Sequence, residues 1–122
     1  MLQQMIKAYL LYADADGHSH VKTGRIQTDI FINADKIYFR ETPAHGAFEW
    51  HNAPTTQYVL TLDGVLEFVT STGDQFTLRP GDVLVATDTS GKGHQWQLVG
   101  DAPWKRVYVT FAAGTDPHFL ED

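Results

Sequence analysis

The sequence predicts an all-β chain folded as a jelly roll, and three observations lead there. Short apolar runs of strand length recur along the chain, clusters rich in Gly, Asp, Pro and Ser separate them, and no stretch sustains a long helical period.

The first strand is Met5 to Tyr12, and Asp14-Ala15-Asp16-Gly17-His18-Ser19-His20 supplies the small and polar residues of the turn that follows. Arg25 to Ile32 and Lys36 to Arg40 are the next strands. Pro, Gly and Ala dominate Thr42 to Ala47, so a loop carries His45 before Phe48 resumes an extended run. Gln57 to Leu62 and Val65 to Val69 flank Asp63-Gly64, whose composition suits a tight hairpin. Ser71-Thr72-Gly73-Asp74 makes the next turn, Gln75 to Leu78 the next strand, and Arg79-Pro80-Gly81-Asp82 another reversal before Val83 to Ala86. Gln95 to Val99 and Trp104 to Phe111 complete the regular part, and Phe119 and Leu120 in the acidic tail either cover an edge, pack on a partner or lie exposed.

Composition bounds the functions open to such a chain. Its 122 residues suit one domain spanning 1–122, since a chain of this size buries roughly two-thirds of its unfolded surface. Hydrophobic residues make up 43% and aromatics 12%, an ordinary globular balance. Nine Lys and Arg against 15 Asp and Glu give a net charge of -6 with no basic run, so nucleic acid and anionic membrane are not expected partners. The absence of cysteine excludes disulfides, thiolate metal sites and cysteine nucleophiles. Met1 to Lys7 lacks the pattern of a signal peptide and no segment has the length of a membrane helix, so a soluble cytoplasmic protein is expected.

The residues that carry chemistry are His51, Gln57 and His94, with Glu49 beside them. In an extended strand residues two apart share a face, so Glu49 is expected to point with His51, and Phe48 and Trp50 the other way. The same alternation groups Gln57 with Val59 and Thr61, and His94 with Trp96 and Leu98. Imidazole nitrogen is a good ligand for zinc, iron, nickel or copper, Glu49 offers an anionic oxygen, and Gln57 a carbonyl oxygen or a substrate-holding amide. Equally open is a set of hydrogen-bonded pocket residues with no metal.

Gln57 through Gly64, Pro80-Gly81-Asp82 and Gly93-His94 resemble the motifs of the small single-domain, RmlC-like cupins. The resemblance covers roughly residues 48–111 and implies a cupin-type double-stranded β-helix, that is, a jelly-roll barrel with a pocket inside it. Typical cupins place two histidines and a glutamate in a first motif that ends in glycine; His51 lies close to a histidine position, Gln57 stands at the glutamate and Gly64 matches the glycine. The second motif contributes a glycine-bounded turn and one more histidine, matched by Gly81 and His94. Here glutamine replaces the usual carboxylate, Glu49 rather than histidine precedes His51 by two residues, and Asp88 through Gly93 lengthens the approach to His94.

The resemblance implies a small-molecule enzyme, metal-assisted if Glu49, His51, Gln57 and His94 converge on a divalent iron, zinc, nickel or manganese ion, with the metal-free pocket as the other expectation. Without metal, His94 or His45 transfers a proton while Gln57 orients the ligand. The alternative function is a non-catalytic small-ligand-binding or regulatory module. Small cupins also imply a homodimer, with strands Ile6 to Tyr12 and Arg25 to Ile32 as available edges. His45 has an exposed loop position as its simpler role, His18 and His20 read as a surface pair near a turn, and His118 sits in the acidic tail. Most of the large rings, Trp50, Tyr58, Trp96, Trp104, Tyr108 and Phe111 among them, are expected in the core. Gly91-Lys92-Gly93 lacks the full glycine-rich phosphate motif and reads as a loop that presents His94.

Overall fold

The computed structural model of the chain describes residues 5–122. Its strands are β1 (Ile6–Ala13), β2 (Ser19–Ile26), β3 (Ile37–Thr42), β4 (Ala47–His51), β5 (Gln57–Asp63), β6 (Val65–Thr70), β7 (Gln75–Leu78), β8 (Val83–Ala86), β9 (His94–Val99), β10 (Trp104–Thr110) and β11 (Phe119–Glu121). They form a seven-stranded sheet in the order β11-β2-β1-β8-β5-β10-β3 and a four-stranded sheet in the order β4-β9-β6-β7. The architecture is all-β with two sheets, as expected of a jelly roll in general. Among the described residues no helix is long and apolar enough to cross a membrane.

One core lies between the sheets. Tyr9, Leu11, Val59, Leu84 and Trp104 from the larger sheet meet Leu66, Phe68, Phe76, Leu78, Trp96 and Leu98 from the smaller one. Burying each large side chain of this kind stabilises the fold by about 1.5–3 kcal/mol. A second core covers the other face of the larger sheet, where Ala8, Tyr58, Val83, Val85 and Phe111 pack with Ile32 and Phe119. This explains β8: Val-Leu-Val-Ala is buried at every position because both of its faces are covered.

Three local expectations are corrected. Asp63-Gly64 does not close a hairpin: β5 pairs with β8 and β10, and β6 with β7 and β9, so the chain leaves one sheet and enters the other at Gly64. Gly64 has φ +100°, and a Cβ there would press on the Pro103 carbonyl and Trp104. A glycine permits a sheet-to-sheet corner as readily as a turn, so composition did not separate the two. A hairpin does join β6 to β7 through Ser71-Thr72-Gly73-Asp74, where Thr70 and Asp74 exchange bonds through the Thr70 amide and hydroxyl.

Arg25 to Ile32 is not a strand. β2 begins earlier, at Ser19, and ends at Ile26, after which Asp29 takes φ +63° and Ile32 packs against the outer core. Nor is β1 an edge: it lies between β2 and β8, and β2 lies between β1 and β11. The tail covers β2, with Phe119 opposite Ile26 and Leu120 opposite Arg25. Gly24 permits that approach, since a Cβ would collide with the Leu120 carbonyl.

Candidate functional site

A cavity of about 240 Å3 opens between the sheets. β5 contributes Gln57 and Val59, β8 Leu84, β9 His94 and Trp96, β10 Trp104, Arg106 and Tyr108, β3 Tyr38 and Arg40, and β4 Phe48 and His51. The alternation expected for β5 and β9 holds: Gln57 shares the cavity face with Val59, while Tyr58 joins the outer core, and His94, Trp96 and Leu98 are all buried.

The two histidines meet. His51 and His94 are register partners across β4 and β9, and their rings lie 4.5 Å apart at 61°. Gly93, at φ +74°, makes this approach possible, because a Cβ would strike the His51 carbonyl. His51 donates from Nδ1 to the Glu49 backbone carbonyl at 2.7 Å, and His94 donates from Nδ1 to Asp88 Oδ2 at 2.5 Å. Both tautomers follow, since a carbonyl or carboxylate oxygen only accepts, and each imidazole keeps its Nε2 for other partners. Burial, reinforced by the neighbouring His94, holds the His51 pKa below the ordinary imidazole value, against the opposing pull of the Glu49 carbonyl and Asp88.

The dyad is deeply enclosed. Asp88 is fully buried and His94 is 4% exposed. Asp88 Oδ1 is the one buried side-chain polar atom without a partner among the described residues. Gln57 is also buried, yet among the described residues neither atom of its amide has a partner or is sealed from open space; together with its place in the wall this directs the amide to the cavity.

Glu49 falls outside this group. β4 shifts register between Phe48 and His51, so the simple alternation fails: Phe48 lines the same cavity as His51, with their rings stacked at 4.0 Å, while Glu49 lines an outer groove with Glu67 and Gln95. Its backbone carbonyl, rather than its carboxylate, serves His51. His45 sits on the exposed loop at φ +67°, 3.4 Å from Asp101 and away from the cavity wall. His20 pairs with Asp14 at 2.6 Å, and that hydrogen bond together with backbone donors lowers the Asp14 pKa. His18 lies 3.4 Å from the Ser71 hydroxyl and His118 lies 3.8 Å from Asp116.

Among the described residues no three His, Cys, Asp or Glu side chains group to hold a metal ion. Two imidazoles and a neutral amide fall short of the His and carboxylate sets that usually retain a divalent transition metal.

Asp88 and Arg106 were missed in the sequence. Asp88 lies in an irregular loop, and nothing in local spacing ties it to His94. Arg106 was legible: it alternates in phase with Trp104 and Tyr108, placing a charge on the face that carries the rings.

No family model and no curated protein matches the chain. Among solved structures it is similar to the crystal structure of protein NMB1881 from Neisseria meningitidis, at 14% identity over 71% of this chain and 88% of that one, with a TM-score of 0.44.

Proposed function

We propose that the chain is a small-molecule enzyme of the cupin type, a single jelly-roll domain whose cavity performs proton transfer on a small organic ligand. The observation that carries this reading is the buried Asp88–His94 pair, which turns the histidine's Nε2 toward the space where a ligand would sit. Asp88 fixes the tautomer and ring orientation of His94 and stabilises the imidazolium that forms when Nε2 takes a proton from the ligand. His51, whose pKa burial lowers, presents a second Nε2 beside it. Gln57 offers an amide donor and acceptor to orient a carbonyl or hydroxyl, and the buried Phe68 and Trp96 give the reacting group an apolar wall. The donor set does not fit a resident metal, and no step runs through one.

The test is carbon–hydrogen exchange in deuterated water, followed by NMR over a panel of small carbonyl compounds and hydroxy acids. His94→Gln is expected to slow exchange by about 10²–10⁴-fold, with Asp88→Asn falling between it and the parent. A compound that binds stoichiometrically and emerges unchanged, with equal background exchange in parent and His94→Gln protein, would instead make the chain a binding or regulatory module.

A further inference from the structure

The cavity contains a cation that the protein leaves without an anion. Arg106 is 3% exposed and lines the cavity wall. Its Nε donates to the Tyr108 hydroxyl at 2.9 Å, and its Nη1 to Thr42 Oγ1 at 2.7 Å and to the Trp104 carbonyl at 3.2 Å. The guanidinium also lies over the Trp104 ring at 3.8 Å. All of these partners are neutral. No carboxylate of the described residues is within ion-pairing distance of Arg106, although acids outnumber bases 15 to nine along the chain.

A buried charge is costly unless an opposite charge or a complete set of hydrogen bonds compensates it. Here the set is incomplete. The Nη2 group has no acceptor among the described residues, and it is not among the sealed, unpaired atoms, so its donors open on the cavity. The neutral partners take the Nε hydrogen and both Nη1 hydrogens and hold the guanidinium still, leaving the two N–H groups of Nη2 to donate to an anion's oxygen. Arg40 lies opposite Arg106 in the β3–β10 register, lines the same cavity and likewise has no acid within ion-pairing distance. A ladder shift between Lys105 and Arg106 sits beside this position, a device that re-aims a side chain.

From Arg106 an aromatic wall leads to the histidines. Trp104 packs on Trp96 at 4.8 Å and on Phe68 at 6.5 Å, and Phe68 lies 5.8 Å from His94. The cavity thus has a cationic station and an imidazole station joined by apolar surface. We infer that its ligand is a small carboxylic acid, held at the carboxylate by Arg106 and Arg40, with its apolar body along Trp96, Phe68 and Trp104. This rests on the proposed ligand cavity and adds the substrate class.

Calorimetric titration of the intact chain with matched probes tests the assignment: benzoate against benzamide, phenylacetate against phenylacetamide, and inorganic phosphate. Each carboxylate is expected to bind about tenfold or more tightly than its amide. Arg106→Gln should abolish that preference and Arg106→Lys should weaken it, because the charge stays while the guanidinium held by Tyr108, Thr42 and Trp104 is lost. Arg40→Gln alters an exposed residue, so it keeps the fold and should reduce the preference roughly threefold. Equal affinity for acid and amide, or a preference unchanged in Arg40→Gln and Arg106→Gln, overturns the proposal; phosphate binding tighter than either acid overturns the carboxylate assignment. His94→Gln separates this from the catalytic reading, since it should keep the acid preference while losing exchange. Acid preference without exchange in any protein removes the proton transfer and leaves the anion station standing, and exchange without acid preference does the reverse.

Discussion

Replacing His94 by alanine removes the only partner, among the described residues, of a fully buried carboxylate. Asp88 is fully buried, with Oδ2 on His94 Nδ1 at 2.5 Å and Oδ1 unpaired. Truncating the histidine leaves both oxygens stranded, a loss of about 3–5 kcal/mol when one partner of a buried pair goes. For a chain of this size about 4 °C accompanies each kcal/mol, so the transition should fall by about 12–20 °C. Asp88→Asn keeps an acceptor for His94 and loses only the charge assistance, about 1 kcal/mol. In the double variant His94→Ala/Asp88→Asn the stranded group is a neutral amide, so the double should be more stable than His94→Ala alone, with a coupling of about 2 kcal/mol. Urea unfolding followed by tryptophan fluorescence and far-ultraviolet circular dichroism measures all four corners, and coincident transitions license the cycle. If the two single losses add to within about 0.5 kcal/mol, the buried pair is not an energetic unit and the reasoning fails.

Gln57→Glu supplies the carboxylate that the cavity lacks beside His51 and His94, so this variant should retain about one zinc per chain through dialysis where the parent does not; equal retention by both, or stoichiometric metal in the parent that survives in a His51→Ala/His94→Ala double variant, contradicts the ligand geometry. Burial and, to a lesser extent, Asp116 push the Tyr58 phenol up to about 12, so its contribution to stability is fully present below the ordinary tyrosine value near 10 and is lost as pH rises through about 12. Tyr58→Phe should therefore show a shallower decline over that window, and superimposable profiles would count against it. Strand β3 is an edge of the larger sheet and exposes Ile37 and Phe39, so a second copy is expected there; light scattering should give twice the 13.7 kDa chain mass, and a monomer at several concentrations would exclude it.

Alternation was the most informative signal in the sequence, and where it applied it reached the site. Gln57 and Val59 share the cavity, and His94 and Trp96 do the same, because a pleated strand sends every second side chain to one face. It failed at β4, where a register shift brought Phe48 to the histidine side and left Glu49 in an outer groove. The period of two holds only while the ladder is regular, and a bulge leaves no compositional mark. At Gly64 the residue requirement was legible and its use was not. Arg106 was overlooked although its phase with Trp104 and Tyr108 was readable.

The sequence by itself determined the all-β class, the positions of most strands and the inward-facing residues of β5 and β9, since these depend on side-chain alternation and on turn residues within a few positions of one another. Only the tertiary structure decided which strands share a sheet, that the tail covers β2, that Asp88 reaches His94 and that Arg106 enters the cavity with neutral partners alone. Those outcomes depend on what lies across a sheet or a cavity, at sequence separations over which local preference has no influence; burial and pairing between distant segments select among arrangements that the local pattern leaves equal.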